Sequence, residues 1–351
     1  MPAICSIASM QVRSYEDKFQ DPWDDYVHHH PSASVFHLTA WKRAIERVFR
    51  FEPRYLLFED QGRIGGVLPM FLVQNPILGK VLISTPFAVY GGICASDPQT
   101  ASVLRGAACR MAKEEGVQYL ELREQTASHD PDFVTKHLYV TFDQELPARA
   151  DRLLQGFPRD TRYMIRKGQK NELGFVQDND QLSVFYEIYA HSVRNLGTPV
   201  FSKRFFQVLL EEFGEACEIS VVRHKARAIA GVLTFRFGNW ILPYYGGCLL
   251  EGRSLAANNF MYWELMKRAL ESGVRFFDFG RSKLGTGAHA FKTQWNMRDR
   301  PLPYQFYLVR RRSMPNYSPV NPRFKIAVEL WKRLPFKVTK WVGPTLVRLF
   351  P

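Results

Sequence analysis

The stretches Ile229-Ala230-Gly231-Val232-Leu233, Tyr245-Gly246-Gly247 and Gly273-Val274-Arg275-Phe276-Phe277-Asp278-Phe279 have earlier counterparts in the same chain. The counterparts are Ile64-Gly65-Gly66-Val67-Leu68, Tyr90-Gly91-Gly92 and Gly116-Val117-Gln118-Tyr119-Leu120-Glu121-Leu122. The three pairs occur in the same order, at offsets of 165, 155 and 157 residues. An ordered repeat of this kind predicts two similar domains, around residues 52–123 and 217–281.

The second copy has the pattern of a hairpin, a third strand, a helix and a final strand. Glu218–Val222 and Ile229–Phe237 are rich in β-branched and aromatic residues, and Trp240–Tyr245 follows as a strand that stops at the two glycines. Tyr262, Leu265, Met266 and Ala269, at i, i+3, i+4 and i+7, predict a helix over Phe260–Glu271, and Val274–Phe279 is predicted as a buried strand. In the first copy the equivalent helix is lined by Leu104, Ala107, Ala108 and Met111.

Composition predicts a globular protein with two cores. The chain has 351 residues, of which 46% are hydrophobic and 14% aromatic. We find no apolar run long enough to span a bilayer and no signal-peptide pattern, which predicts a protein kept in the cytoplasm. The five cysteines form no C-x-x-C pair, and the run His28-His29-His30 lacks the spacing of ligands, so no metal site is predicted.

The net charge of +13 is concentrated in two segments. In residues 159–170, a helix would align Arg159, Arg162, Arg166 and Lys170 along one face, beside Lys167. Such a run is either a solvated face or, because like charges repel, a site for a phosphate-bearing ligand.

The second basic segment is the C-terminal tail. Residues 301–351 contain ten Lys and Arg side chains and a single acid, Glu329. Within residues 324–350, apolar positions at helical spacing (Phe324, Ala327, Val328, Trp331 and Leu334) alternate with basic ones. The tail is either a helix packed on the body or an amphipathic segment on an anionic membrane surface.

Residues 277–295 join a strand that carries an acid to a glycine-rich loop with two cations and then to Phe291-Lys292-Thr293-Gln294-Trp295. The loop is not a P-loop, because Thr286 occupies the position of the required lysine. No Ser-His-Asp or Cys-His pattern of known spacing is present, which favours direct attack in a ternary complex over a covalent intermediate.

These segments resemble the FemAB family of aminoacyl transferases. Residues 159–170 are similar to its R-x-x-I-R-K-x-x-K segment, and residues 278–304 are similar to its exosortase-associated (PEP-CTERM) exopolysaccharide branch. The resemblance runs from about Trp23 to Leu308 and implies an α/β (α+β) fold of two tandem GNAT-like acyltransferase domains, with mixed central sheets flanked by helices. The long coiled-coil insert that the family's peptidoglycan members use for tRNA contact is absent from the sequence.

The resemblance also implies a function and a set of site residues. Lys292 fits the lysine at the family's catalytic centre; we expect it, with Arg281, to supply positive charge to the oxyanion or leaving group, and Asp278 to orient the amine or Arg281. The alternative for Lys292 is an ordinary surface lysine, and the alternative for Asp278 is an ion pair with Arg281 at the end of the strand. The expected substrate-binding residues are Tyr245, Gly246, Gly247, Arg162, Arg166, Lys167, Lys170, Arg253, Asn258 and Trp295.

The predicted reaction is transfer of an activated acyl or aminoacyl group to an amine on a cell-envelope or exopolysaccharide precursor. No permanently bound cofactor is expected, and the co-substrate is acyl-CoA or aminoacyl-tRNA. Residues 253–258 (Arg-Ser-Leu-Ala-Ala-Asn) lack the glycines of a typical acetyl-CoA loop. Two alternatives stay open: an acyl-CoA-dependent N-acyltransferase acting on an amino sugar, and a non-catalytic module that binds a phosphorylated glycolipid or nucleic acid.

The predicted domain boundaries follow the repeat. Residues 1–150 form the N-terminal domain, 151–175 a basic linker helix, 176–312 the C-terminal domain and 313–351 the amphipathic tail. The expected partners are the acyl donor and an amine-bearing glycan or lipid-linked precursor, with peripheral contact to the inner membrane through the tail.

Overall fold

The computed structural model describes residues 11–126, 129–315 and 322–351, with the backbone alone for residues 322–325. The chain divides into two compact units. Unit 1 contains the described residues up to His137, together with Leu302–Pro315 and Pro351. Unit 2 contains Leu138–Pro301 and the described residues of 316–350.

Unit 2 is built on a mixed sheet. Its strands are β9 (Phe133–Glu145), which enters from unit 1, β10 (Leu173–Gln177), β11 (Cys217–His224), β12 (Arg227–Phe237), β13 (Trp240–Cys248) and β14 (Phe276–Lys283). The strand order is β10-β11-β12-β13-β14-β9, and all neighbours are antiparallel except β13 and β14.

Helices cover this sheet, and their apolar faces form its core. They are α4 (Ala150–Gly156), α5 (Arg159–Lys170), α6 (Leu182–Leu196), α7 (Lys203–Phe213), α8 (Leu250–Ser254), α9 (Ala257–Glu271), α10 (Gly287–Thr293), α11 (Pro322–Arg333) and α12 (Phe336–Val347). One buried cluster joins Phe142, Ile165, Met266, Phe277 and Trp295, and so ties β9, α5, α9, β14 and the end of α10 together.

Unit 1 repeats the plan with its sheet in two parts. Its elements are β1 (Gln11–Ser14), α1 (Gln20–His29), α2 (Thr39–Phe49), β2 (Glu52–Pro53), β3 (Leu56–Asp60), β4 (Arg63–Leu68), β5 (Phe71–Asn75), β6 (Gly79–Ile83), β7 (Cys94–Ala95), α3 (Pro98–Glu114), β8 (Tyr119–Arg123) and the end of β15 (Arg298–Leu308). The strand orders are β1-β3-β4-β7 and β15-β8-β6-β5-β2. The parallel pair here is β6 and β8, connected through α3.

Each unit takes one strand from the other half of the sequence. In unit 2, residues Tyr139–Glu145 of β9 pair with β14, whereas in unit 1, residues Tyr304–Leu308 of β15 pair with β8. This division differs from the predicted linear boundaries at 150 and 312. The physical reason is that an edge left open by one half of the chain is hydrogen-bonded by the other half.

The mixed α/β fold and the helix after the third strand are confirmed. The helix predicted over Phe260–Glu271 is α9, and in the first copy Leu104 and Ala108 are buried on α3 while Ala107 and Met111 are partly buried. The prediction that the third strand stops at the two glycines is wrong: β13 continues through Gly246 and Gly247 to Cys248, because both residues keep pairing with β12. Their first-copy counterparts at 90–92 lie outside any strand.

Candidate active site

A wedge opens in the sheet of unit 2 between β13 and β14. The two strands pair only at Trp240 with Phe276 and at Ile241 with Phe277. Beyond this point β13 follows β12 as far as Cys248, while β14 follows β9 as far as Lys283. The backbone groups that β13 turns toward β14 therefore have no strand partner in the wedge, and they can accept an extended ligand as a strand would.

Gly246 is the open position on this part of β13. It is exposed although it lies on an inner strand of the sheet. A Cβ built on Gly246 would have as its nearest neighbours Val232 Cγ2 at 3.7 Å, the Gly231 carbonyl oxygen at 3.8 Å and Tyr262 Oη at 3.8 Å. These distances are ordinary contacts, so close packing does not require glycine at this position. The lack of a side chain instead leaves room for a ligand beside β13.

Gly247 and Tyr245 point to the opposite face of the strand. A Cβ on Gly247 would lie 2.8 Å from Tyr189 Cα, so this glycine lets α6 pack directly on β13. The Tyr245 ring lies in an aromatic cluster with Tyr189 and Phe206, and its hydroxyl is buried with no hydrogen-bond partner among the described residues. Burial raises the pKa of Tyr245 well above its usual range, so this hydroxyl stays protonated.

Tyr262 on α9 brings a hydroxyl to the wedge, 3.8 Å from where a Cβ on Gly246 would lie. Its ring packs edge-on against Phe279 of β14, with centroids 4.5 Å apart, and also contacts Phe291. Burial raises the pKa of Tyr262 to about 12. The sequence pattern gave Tyr262 only as a position on the apolar face of a helix, and no local motif marks it as a site residue.

A bulge in β14 fixes the far wall of the wedge. Asp278 is paired with Asp143 and Arg281 with Thr141, so Phe279 and Gly280 together face a single residue of β9. Gly280 has φ of +68°, a conformation that favours glycine. The buried carboxylate of Asp278 accepts hydrogen bonds from the Gly280 N–H at 2.7 Å and from Thr141 Oγ1 at 3.0 Å.

Lys292 holds the same bulge from α10. Its ammonium donates to the carbonyl oxygens of Phe279, Gly280 and Arg281 at 2.5, 2.9 and 3.2 Å. Burial lowers the pKa of Lys292 to about 8, an effect that Asp278 opposes and Arg281 adds to. An ammonium has three N–H donors, so a fourth acceptor would have to displace one of these carbonyls.

The other predicted residues near β14 are placed differently. The Arg281 guanidinium lies over the Tyr139 ring, 4.7 Å from its centroid. Trp295 is fully buried and packs against Phe157 and Phe279, and its indole N–H has no partner among the described residues. Trp295 therefore supports the ring of Phe279 from within the core of unit 2.

The predicted basic helix is α5, and it lies beside the start of α9. Thr161, Ile165 and Gly168 face inward, whereas Arg166 and Lys170 are exposed and Lys167 is half-buried. Gly168 permits the close approach, because a Cβ there would lie 2.7 Å from Phe260 Cβ.

Not all of the basic side chains of α5 point to solvent. The guanidinium of Arg162 donates to the carbonyls of Gln155 and Phe157 and so fixes the start of α5.

The first turn of α9 begins without a side-chain cap. Ala256 precedes this turn with φ of +62°. Arg253 is exposed at the end of α8, and Asn258 is half-buried in the first turn of α9. Helix N-termini of this kind attract phosphate groups, and the cations of α5 and α8 add to the attraction.

In unit 1 the region that corresponds to the wedge is filled by its own chain. After β6, the buried segment 84–92 continues beside β8. Arg123 donates to the carbonyls of Thr85 and Ala88, and Tyr304 donates to the carbonyl of Val89 at 2.6 Å. These bonds occupy the space that is open beside Gly246 in unit 2.

Comparisons with known proteins agree with this geometry. The family model described as "Acetyltransferase (GNAT) domain" matches residues 156–293. FemX has a similar structure, with a TM-score of 0.65 and 15% identity over 86% of this chain and 98% of its own.

Two further solved structures show the same fold. A tandem GNAT protein from the clavulanic acid biosynthesis pathway gives a TM-score of 0.54 and 11% identity over 88% and 99% of the two chains. L-PGS from Bacillus licheniformis gives 0.53 and 13% over 90% and 97%.

No curated protein matches the sequence. The resemblance stated from the sequence is thus supported at the level of a GNAT domain and a FemX-like fold. The chain is a transferase with a GNAT-type mixed α/β fold.

Proposed function

We propose that the protein transfers an activated acyl group to an amine by direct attack, with the chemistry at the wedge of unit 2. The observation that carries this proposal is the separation of β13 from β14 beside the exposed Gly246. An amine lone pair attacks the acyl carbonyl carbon there, the bond to the donor's sulfur or ribose oxygen breaks, and the amine proton is lost. No side chain has to form a covalent intermediate.

Acyl-CoA is the donor that the site supports best. Its phosphates would lie at the start of α9, near Arg253, Asn258 and the exposed cations of α5, and its extended arm would pair with β13. The match of residues 156–293 to the GNAT domain supports the same donor. Aminoacyl-tRNA is the alternative, supported by the FemX-like fold and the basic face of α5.

The side chains beside the wedge on α9, α10 and β14 would position the reacting groups. Tyr262, neutral because its pKa is about 12, can donate a hydrogen bond to the acyl carbonyl or to the leaving group. Lys292 and Asp278 act on opposite sides of the Gly280 bulge, and we propose that they position β14 and Arg281.

The acceptor would be an amine on a cell-envelope or exopolysaccharide precursor. The support for this class is the similarity of residues 278–304 to the exopolysaccharide branch of the FemAB family. Gly246 is exposed and the Tyr262 hydroxyl lies beside it, so the acceptor amine would approach from this side of β13.

The test is release of free thiol and formation of an N-acylated product, followed by mass spectrometry. Acetyl-CoA and longer acyl-CoAs would be offered with amino sugars, nucleotide-linked amino sugars and lipid-linked amino sugars, and aminoacyl-tRNA would be offered in parallel. We expect turnover with one thioester donor.

Two variants tie turnover to the wedge. Gly246→Val should fold and lose about 100-fold in kcat/KM, whereas Gly174→Val, on the edge strand β10 with no atom near its Cβ, should keep wild-type rates. Tyr262→Phe should lower kcat by about 10-fold or more with little change in KM.

Tight binding of donors with no turnover, unchanged by Gly246→Val, would instead favour a non-catalytic module that binds phosphorylated glycolipids.

A further inference from the structure

The two C-terminal helices of unit 2 expose large apolar side chains on their outer faces. Trp341 of α12 is 82% exposed, and Ile326 and Leu330 of α11 are 72% and 60% exposed. Val338 lies one helical turn before Trp341 and is also exposed. Single exposed apolar residues are ordinary, but four large ones on two consecutive helices, one of them a tryptophan, are more than a solvent-facing surface usually carries.

The opposite faces of these helices hold them on the body of unit 2. Trp331 is buried and donates to the carbonyl of Thr198 at 3.2 Å, and the Phe336 ring stacks on His191 with centroids 3.6 Å apart. A Cβ on Gly343 would lie 2.9 Å from the backbone nitrogen of Val200, so α12 packs closely there. The sequence left open whether the tail packs on the body; it does, and the outer apolar face is not used in that packing.

Cations surround the outer face. Lys337 lies one turn before Trp341, and Arg333 and Arg348 are also exposed. The only acid in residues 301–351 is Glu329, and it pairs with Lys332 at 2.8 Å. The surface thus combines apolar side chains, an exposed indole and excess positive charge.

We propose that this outer face of α11 and α12 docks on an anionic lipid bilayer. An indole and aliphatic side chains partition into the boundary between headgroups and acyl chains, and flanking Lys and Arg side chains are attracted to anionic headgroups. A nucleic acid would use the cations but has no place for Ile326 and Leu330. None of the helices in the described parts of the chain could span a bilayer. The proposal goes beyond acyl transfer and does not depend on it.

The first experiment measures co-sedimentation of the full chain with vesicles. We expect binding to vesicles of equal parts phosphatidylglycerol and phosphatidylcholine, and much weaker binding to pure phosphatidylcholine. Trp341→Ala should weaken binding by about 10-fold. Lys337→Gln and Arg333→Gln should each weaken it by about 5-fold on anionic vesicles and leave the weak neutral binding unchanged. Val103→Ala, an exposed apolar position in unit 1, is the matched control and should bind as the wild type.

The second experiment reports the depth of Trp341 directly. The fluorescence difference between the wild type and Trp341→Phe isolates this indole, and we expect a blue shift on anionic vesicles and quenching by brominated acyl chains. The proposal is overturned if Trp341 stays in a water-like environment on the vesicles, or if Trp341→Ala binds as tightly as Val103→Ala. It is also overturned if the same variants lose affinity for tRNA but not for vesicles, which would assign the surface to nucleic acid.

Discussion

Lys292 carries a positive charge into a site where backbone carbonyls are its acceptors. The bonds to Phe279, Gly280 and Arg281 use all three of its N–H groups, so its strongest effect is on the shape of the β14 bulge. The carbonyls favour the ammonium form, in the same direction as Asp278 and against the effect of burial. Replacing Lys292 should therefore change the stability of unit 2 as well as the rate of turnover.

We predict that Lys292→Met destabilises the protein by about 2–3 kcal/mol, because buried carbonyls lose their donors. Urea unfolding followed by circular dichroism measures this, and Lys267→Met on α9 is the control, because Lys267 makes no ion pair with any described residue. Turnover should fall together with stability. A variant that keeps wild-type stability but loses turnover would show that the charge acts directly on the reacting atoms.

Two buried titratable groups in unit 1 shift stability with pH in opposite directions. His37 Nε2 bonds to the Gly92 carbonyl and Nδ1 accepts from the Ser34 N–H, an arrangement that suits the neutral ring, and burial lowers the pKa of His37 to about 4. Glu124 is buried beside Arg105, 3.3 Å away, and burial raises the pKa of Glu124 to about 7.

Whether stability rises or falls with pH depends on whether the unfolded or the folded chain binds the proton more tightly. Between about pH 4 and 6.5 the unfolded chain protonates His37 and the folded one does not, so His37 makes stability rise with pH. Between about pH 4.5 and 7 the folded protein keeps Glu124 protonated while the unfolded chain ionises, so Glu124 makes stability fall as pH rises. Over the shared range the two contributions offset each other.

We predict that His37→Gln exposes the effect of Glu124. Relative to the wild type, the variant lacks the rise in stability that His37 contributes, so the difference in free energy of unfolding should fall by up to about 3 kcal/mol as pH rises from 4.5 to 6.5. Glu124→Gln should do the reverse and gain stability over the same range. Urea titrations at several pH values measure both. Parallel profiles for the wild type and the two variants would contradict the shifts.

At this scale the sequence predicted residue types better than their partners. The Phe-Lys-x-x-Trp segment marked Lys292 and Trp295 as important, but it did not show that the acceptors of Lys292 are the backbone carbonyls of residues 279–281 or that Trp295 packs on the distant Phe157. Tyr262 could not be recognised at all, since its significance depends on Gly246 across the wedge. Residue patterns report local spacing, whereas a site is assembled by pairing between distant strands.

At the scale of elements, the contact between α5 and α9 connects the basic helix to the candidate phosphate site. Gly168 sits where α5 crosses the start of α9, and Phe260 and the Ala256 carbonyl leave no room for a side chain. The helical spacing of the sequence predicted α9, whereas residues 151–175, predicted as a single linker helix, contain most of α4, the whole of α5 and the start of β10. The packing of α5 on α9 could not be predicted, because the pattern identifies an inward face but not what the face meets.

We predict that Gly168→Ala pushes α5 away from α9 and weakens donor binding. The added methyl group would lie within 2.7 Å of Phe260 Cβ, and overpacking of this kind costs about 1–3 kcal/mol. Gly156→Ala, at the end of α4 with no atom near its Cβ, is the matched control. Calorimetry with acyl-CoA should show a raised Kd for Gly168→Ala alone. Equal affinities of the two variants for acyl-CoA would show that the position of α5 does not affect donor binding.

At the scale of the whole molecule, the repeat in the sequence correctly indicated two related units but not how the chain is shared between them. Tyr139–Glu145 belongs by sequence to the first half and pairs in the sheet of unit 2. Tyr304–Leu308 follows the second repeat and pairs in the sheet of unit 1. Hydrophobic periodicity identifies both as strands, and nothing in it specifies the edge that each strand joins.

This exchange predicts which fragments of the chain can fold. A fragment that begins at residue 151, the boundary suggested by the repeat, lacks β9, and with it Val140, Phe142 and Leu146 of the buried cluster. Losing the burial of these three side chains costs about 6 kcal/mol, which is comparable to the stability of a whole domain. A fragment that begins at residue 132 keeps them.

We therefore expect the 132–351 fragment to unfold cooperatively in urea and the 151–351 fragment to bind a hydrophobic dye and unfold without a sharp transition. Both fragments lack β8, the strand of unit 1 that pairs with Tyr304–Leu308 of β15, and they differ by the segment that contains β9. Phe142→Ala in the full chain should lower the free energy of unfolding of unit 2 by about 3–5 kcal/mol, since the Phe142 side chain is fully buried. Cooperative unfolding of the shorter fragment would mean that β14 is stable without the strand it takes from the first half.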